Sequence, residues 1–258
     1  MSSNFQITLI RHGQTAANKA QIIQGNADVP LSDVGRGQAR KLGALFKQNG
    51  TTFTHVYASD LSRAFETAEL VVGDQKSIIT DKRLRERAFG VVEGKSIEYY
   101  RAAARAAGFK EKELSYFTPE GGETLQQVYQ RVKGFFTELV EHLTSLQLAD
   151  KPKVVIVTHG GVIREYMRYF RDECRCDFMK AEIMVVTPNT GVNVFNISTL
   201  PGGKVKAEVV KIHDTTHLID ENAESIPSKP SSNLNNDNHS DNNQSTTTDD
   251  DTPSLVAL

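Results

Sequence analysis

Two short, predominantly apolar runs, each ending in a histidine and then a glycine, place the strongest constraint on how this chain can fold. Residues 5–10 run into Arg11-His12-Gly13, and residues 153–158 run into His159-Gly160-Gly161. Runs of this kind, rich in Val, Ile and Leu, belong to strands covered on both faces, as a parallel strand is inside an α/β sheet. In open α/β sheets ligands collect beyond the carboxyl ends of the strands, so both histidines are expected there.

The remaining segments alternate in the same way. Ser32 reads as a helix cap ahead of an apolar stripe of Val34, Ala39, Leu42, Leu45 and Phe46 that stops near Asn49-Gly50. Residues 53–58 read as a second strand, 60–72 as a helix, and 78–84 as a further extended piece. An alanine-rich helix is expected over 96–107, loop over 109–122, and a long amphipathic helix over 124–146. Residues 162–170 form the next helix, and two final strands, 192–197 and 205–212, flank the Pro201-Gly202-Gly203 turn. Strands alternating with helices predict a three-layer α/β/α sandwich around a mostly parallel central sheet.

At 258 residues the chain can hold one large α/β core. The stretch 220–258 is Ser, Asn, Asp and Thr with almost no large apolar side chain, and is expected to be disordered. The folded domain is therefore read as 1–219. Eight of the 32 acidic residues but only one of the 30 basic residues fall in that tail, so the net charge of −2 divides into about +5 and about −7. A mildly basic body suits a small anionic molecule and, without an arginine-rich stripe, does not argue for nucleic acid. The two cysteines, Cys174 and Cys176, are too close for an ordinary bridge and read as free thiols in a reducing compartment. Residues 1–5 do not begin a signal peptide and no apolar run reaches spanning length, so a soluble, cytoplasmic protein without a membrane partner is expected.

Several chemistry-bearing residues stand just beyond predicted strand ends. They are Arg11 and His12 after the first strand, Arg63 after the second, Glu86 after the third extended piece, and His159 before Gly160-Gly161. Each has an ordinary structural role on its own; a cap, an exposed helix arginine or a surface ion pair would serve. Together they match what cleavage of a phosphate ester requires: a nucleophile, fixed positive charge for the equatorial oxygens, and an acid for the leaving oxygen.

The segment Leu9-Ile10-Arg11-His12-Gly13-Gln14-Thr15, with Asn18, Gln24-Gly25 and Pro30-Leu31-Ser32, resembles the histidine phosphatase (phosphoglycerate mutase-like) superfamily. The stretches 59–68 and 158–161 agree with it. The stretches 84–95, 117–125 and 187–191 narrow the resemblance to the TIGAR group of fructose-2,6-bisphosphatases, over roughly residues 5–217. The resemblance implies a phosphoglycerate mutase-like fold and a phosphatase that needs no metal or other cofactor. It implies His12 as nucleophile, Arg11, Arg63 and His159 as holders of the phosphoryl oxygens, and Glu86 as proton donor and acceptor. Asn18, Gln24, Gly25, Arg87 and Gly160 are implied around the substrate, a small phosphorylated metabolite such as fructose 2,6-bisphosphate or bisphosphoglycerate. Phe89 departs from the pattern, standing where many relatives carry tyrosine, and the segment between the long helix and the Lys153 strand is short.

A phosphoglycerate mutase using the same histidine, and a non-catalytic phosphate-binding scaffold, are the alternatives. Gly90-Val91-Val92-Glu93-Gly94-Lys95-Ser96 is one residue short of a nucleotide-binding loop and is set aside. Gly121-Gly122-Glu123-Thr124 reads as a turn and helix start, with bordering the substrate as the alternative. His213 and His217 have a spacing that could hold a metal on a helix, but they end a strand pattern and are expected to be isolated surface residues.

Overall fold

A computed structural model describes residues 4–73, 77–146, 150–178, 180–200 and 202–219. The acidic stretch 220–258 lies outside the described residues. The strands are β1 (Asn4–Arg11), β2 (His55–Ala58), β3 (Ile78–Thr80), β4 (Lys153–Thr158), β5 (Val192–Thr199) and β6 (Val205–Asp214). The helices are α1 (Ala16–Lys19), α2 (Asp33–Gln48), α3 (Ser62–Val72), α4 (Ile97–Ala106), α5 (Leu125–Ser145), α6 (Gly160–Glu173) and α7 (Lys180–Met184). No helix among the described residues is long and apolar enough to cross a membrane.

The strands form one sheet in the order β3-β2-β4-β1-β5-β6. β3, β2, β4 and β1 pair in parallel, β5 is antiparallel to β1, and β6 is antiparallel to β5. The two last strands therefore close the sheet as a hairpin instead of adding another parallel crossover.

The pleat sorts the apolar residues between two cores. Ile7 and Leu9 of β1 and Val154 and Ile156 of β4 face α5 and α6, meeting Val132, Phe136, Tyr166 and Phe170. Ile10, Val155 and Val157 face the other side with Ala39 and Leu42 of α2 and Ala64 and Ala68 of α3. Helices thus cover both faces, as the alternation in the sequence requires. Phe136 is fully buried and makes ring contacts with Phe5, Tyr166, Tyr169 and Phe170; truncating such a ring costs about 3–5 kcal/mol. A third, smaller cluster of Ile23, Phe89, Val92 and Tyr100 lies beside α4.

Most helix starts are set by local chemistry. Ser32, Ser96 and Thr124 each accept a backbone amide at the first turn of α2, α4 and α5, and Thr124 with Gln127 completes a capping box. Three local readings shift. The extended piece 78–84 is strand only to Thr80, because Asp81 accepts the Arg83 amide and turns 82–84 into a 3-10 turn. The helix after β2 begins at Ser62, not at residue 60. The stretch read as loop contains a 3-10 turn, Glu111–Tyr116.

The register places the functional end of the sheet. Arg11 pairs with Thr158 at the last rung between β1 and β4, so His12 and His159 leave adjacent strands side by side. The His12 amide makes one more bond, to the Thr158 carbonyl at 2.9 Å.

Candidate active site

Seven predicted residues converge beyond these strand ends. Arg11, His12, Asn18, Gln24, Gly25, Arg63 and Glu86 line one cavity of about 100 Å³, with Ile22, Ile23, Phe89 and Ile97 forming its apolar wall. His159 stacks obliquely on His12, with ring centroids 5.1 Å apart and planes at 58°.

The tautomer of His12 follows from its neighbour. Its Nδ1 lies 2.7 Å from the Gly13 carbonyl oxygen, which can only accept, so the proton sits on Nδ1 and the lone pair on Nε2. Burial, then Arg63 and Arg11, pushes the imidazole well below its ordinary pKa and keeps it neutral. His159 is lowered in the same direction, by burial first and then by Arg63 and His12.

Each guanidinium is anchored by its outer nitrogens. Arg63 enters from the first turn of α3 and donates from Nη1 to the Ala27 carbonyl at 2.8 Å and from Nη2 to the Gly25 carbonyl at 2.7 Å. Gly25 presents that carbonyl at φ +50, where a side chain would also collide with Glu93. Burial lowers Arg63 to about 10, with Glu86, Asp28 and Glu93 opposing, so it remains a cation at neutral pH. Arg11 donates from Nη1 to the Thr187 carbonyl at 2.9 Å. Buried nitrogens without partners are left on Arg11 (Nε), on Arg63 (Nε) and on both positions of the His159 ring. Unpaired buried donors are costly; Arg11 and Arg63 line the cavity and His159 adjoins His12, so the two guanidinium N–H groups and the single N–H of a neutral His159 suit an oxyanion that would accept from them.

The two amides are oriented by their oxygens. Asn18 Oδ1 accepts from the Thr15 amide at 3.1 Å and from Asn189 Nδ2 at 3.3 Å, and Gln24 Oε1 accepts from Thr15 Oγ1 at 3.0 Å. Both side chains thereby keep their NH2 groups for an acceptor.

Glu86 follows the 3-10 turn, and its carboxylate is held by two backbone amides. Oε1 accepts from Arg87 at 2.9 Å and Oε2 from Gly161 at 3.1 Å. The first-turn amide of α6 thus serves Glu86. Arg131 of α5, paired with Glu123, donates to the Glu86 carbonyl at 3.1 Å. Glu123 also accepts the Ala88 amide, so the Gly121–Thr124 turn braces the site from outside the cavity lining.

Two predicted residues have other surroundings. Arg87 does not line the cavity: its guanidinium donates to the carbonyls of Glu123, Ser115 and Phe117 at 2.7, 2.8 and 2.8 Å and lies over the Phe89 ring. Gly160 sits against Arg11 and Val186, where a Cβ would come within 2.8 Å of the valine. Its contribution is room for Val186 beside Arg11.

The segment 187–191, which sequence reasoning marked without giving it a role, contacts both Arg11 and His12. Asn189 Nδ2 donates to the His12 carbonyl at 2.9 Å, and the Thr190 amide to the Arg11 carbonyl at 3.1 Å. A Thr-Pro-Asn-Thr-Gly turn entering a buried strand was the available signal. His213 and His217 are not isolated: both are half-buried and bond to Thr187 and Thr190. Cys174 and Cys176 are free and buried.

Comparison with known proteins agrees with this geometry. Residues 7–205 match the family described as Histidine phosphatase superfamily (branch 1). The chain is 33% identical over 267 residues to fructose-2,6-bisphosphatase TIGAR of Bos taurus, covering 84% of this chain and 97% of that protein. Among solved structures, phosphoglycerate mutase from Bacillus anthracis str. Sterne superposes with a TM-score of 0.69 at 25% identity, covering 84% of this chain and 96% of that one. A mycobacterial glucosyl-3-phosphoglycerate phosphatase in complex with VO3 superposes with a TM-score of 0.63 at 25% identity, covering 80% and 98%.

Proposed function

The chain belongs to the histidine phosphatase superfamily, branch 1, and from that premise we propose that it hydrolyses small phosphorylated sugars through a phosphohistidine formed on His12. Fructose 2,6-bisphosphate is the leading substrate, supported by the bovine relative of that name. One observation carries the reading: Arg11 and Arg63, each with an unpartnered buried Nε, share one cavity with a neutral His12 whose lone pair is on Nε2, and the unpartnered His159 ring lies against it.

In the first step His12 Nε2 attacks phosphorus and the bond from phosphorus to the ester oxygen breaks. Protonated Glu86 gives its proton to the departing alkoxide, which leaves as the alcohol. Arg11, Arg63 and His159 hold the three equatorial oxygens, where charge gathers in the transition state. In the second step water attacks the phosphohistidine, Glu86 takes its proton, and inorganic phosphate leaves with His12 restored. Asn18 and Gln24 donate their NH2 groups to the phosphoryl oxygens, and Gly25 holds Arg63 in place.

The test is a phosphate-release panel on the purified full chain, with fructose 2,6-bisphosphate, bisphosphoglycerate, phosphoglycolate and an aryl phosphate at matched concentrations. The expected result is release from all four with the highest kcat/KM on the sugar bisphosphate. Isomerised monophosphoglycerate without free phosphate would assign the mutase reaction instead. Phosphate binding without any turnover would assign a scaffold.

A further inference from the structure

The segment 187–191 lies outside the cavity lining, yet the orientation of Arg11 depends on it through the bond from Nη1 to the Thr187 carbonyl. Thr187 is in turn held by its hydroxyl. That hydroxyl lies 3.0 Å from His213 Nδ1, and Asn193 Nδ2 donates to it at 3.3 Å. On its other side His213 Nε2 lies 3.1 Å from the Glu182 carbonyl.

These contacts fix every proton in the chain. The Glu182 carbonyl only accepts, so His213 carries its proton on Nε2 and presents the Nδ1 lone pair to Thr187. Asn193 donates to the threonine oxygen, and the threonine O–H donates to the Nδ1 lone pair. The His213 backbone is held as well, its amide donating to Asn193 Oδ1 at 2.9 Å.

His213 carries backbone strain, and so does Thr190 in the segment that holds Thr187. His213 has φ +52 and Thr190 has φ +57, in the left-handed region where a side chain costs about 1–3 kcal/mol and a β-branched residue is an outlier. His213 falls in β6 where the pairing with β5 shifts register between Val192 and Val194, so its left-handed φ belongs to that irregularity. Here it turns the imidazole inward, toward Thr187.

We propose that His213 is a positioning residue for Arg11, acting through the Thr187 hydroxyl and carbonyl. This rests on the reading of Arg11 as a holder of phosphoryl oxygens. The bond to Thr187 fixes one outer nitrogen of the guanidinium and so aims the unpartnered Nε at the ligand. Loosening Thr187 lets the guanidinium swing, and a misplacement of about 1 Å at such a group costs about a hundredfold in rate.

The two faces of an imidazole can be replaced separately. Asn places an acceptor where Nδ1 was, and Gln places a donor where Nε2 was. His213→Asn therefore keeps the bond to Thr187, whereas His213→Gln keeps only the bond to Glu182. Thr187→Val removes the hydroxyl at nearly constant volume.

The measurements are kcat and KM for an aryl phosphate and the affinity for inorganic phosphate by calorimetry, with thermal melts to verify folding. H213N is expected within about threefold of wild type, while H213Q and T187V each lose about 10–100-fold in kcat/KM and bind phosphate more weakly. The double variant H213Q/T187V should lose no more than the worse single variant, because T187V already removes the His213–Thr187 bond that H213Q removes. Equal losses in H213N and H213Q, additive losses, or an unimpaired T187V overturn the proposal. A wild type that turns over no ester overturns the phosphatase reading instead, and the phosphate affinities still decide the role of His213.

Discussion

Glu86 Oε2 accepts the Gly161 amide at 3.1 Å, so the proposed proton donor is fixed by the first turn of the helix that follows His159. A methyl group on Gly161 would collide with that carboxylate. Gly161→Ala is therefore expected to displace Glu86 and lower kcat by about a hundredfold while the melting temperature changes little. A wild-type kcat in this variant would show that the carboxylate position does not matter to the rate.

Glu86→Gln keeps the side chain and removes the exchangeable proton. Alkyl phosphates, whose alkoxides need protonation, should lose at least about a hundredfold more rate than aryl phosphates. Equal losses on the two classes would remove Glu86 from the acid role.

Rapid-quench experiments with a labelled aryl phosphate should trap an acid-labile, base-stable phosphoenzyme on wild type and none on His12→Ala. Phosphate release should fall by about 10³-fold or more in that variant, with circular dichroism unchanged. Label retained on the variant would place the covalent bond on another residue.

The pH dependence separates rate from stability. Burial, aided by Arg63, holds the folded imidazoles of His12 and His159 below the unfolded value of about 6.5. Below that value the unfolded state binds more protons than the folded state. The stability contributed by these groups is therefore complete above pH about 6.5 and lost as pH falls, by about 1.4 kcal/mol per unit for each histidine until the folded rings protonate. His12 meanwhile stays neutral and nucleophilic in the folded protein. Melting temperature should drop between pH 6.5 and 5.5 while kcat, corrected for the second phosphate ionisation of about 6, holds steady. A kinetic limb centred at 6.5 would show that His12 titrates normally.

Arg87→Met should act on the fold and not on the ligand. The arginine satisfies three carbonyls of the 115–123 region, and its loss leaves them without that donor. A decrease of about 2–3 kcal/mol in unfolding free energy is expected, with affinity for inorganic phosphate unchanged. A selective fall in phosphate affinity would return Arg87 to the ligand.

What could be read from the sequence was whatever is fixed within a few residues. The cap Ser32 bonds to an amide three positions on, as do Ser96 and Thr124 at the helix starts read there, so identity and spacing suffice. β1 and β4 were readable because burial on both faces leaves its mark in composition. The short α1, Ala16–Lys19, was not: it depends on the Thr15–Asn18 capping box and has no apolar periodicity. Arg87 and the two late histidines were misplaced for a common reason. Their surroundings are set by the carbonyls and hydroxyls of distant turns, and no local pattern encodes which way a long polar side chain points. The convergence of Arg11, His12, Arg63, Glu86 and His159 was readable only collectively, since each follows a strand end and the sheet aligns those ends.

The position of β4 between β1 and β2 has a consequence for how the molecule comes into being. During synthesis the first half of the polypeptide emerges with His12 and Arg63 but without the strand that must slot between their two supports. A chain that stops short of β4 therefore lacks both the strand between those supports and His159, and so has no finished pocket.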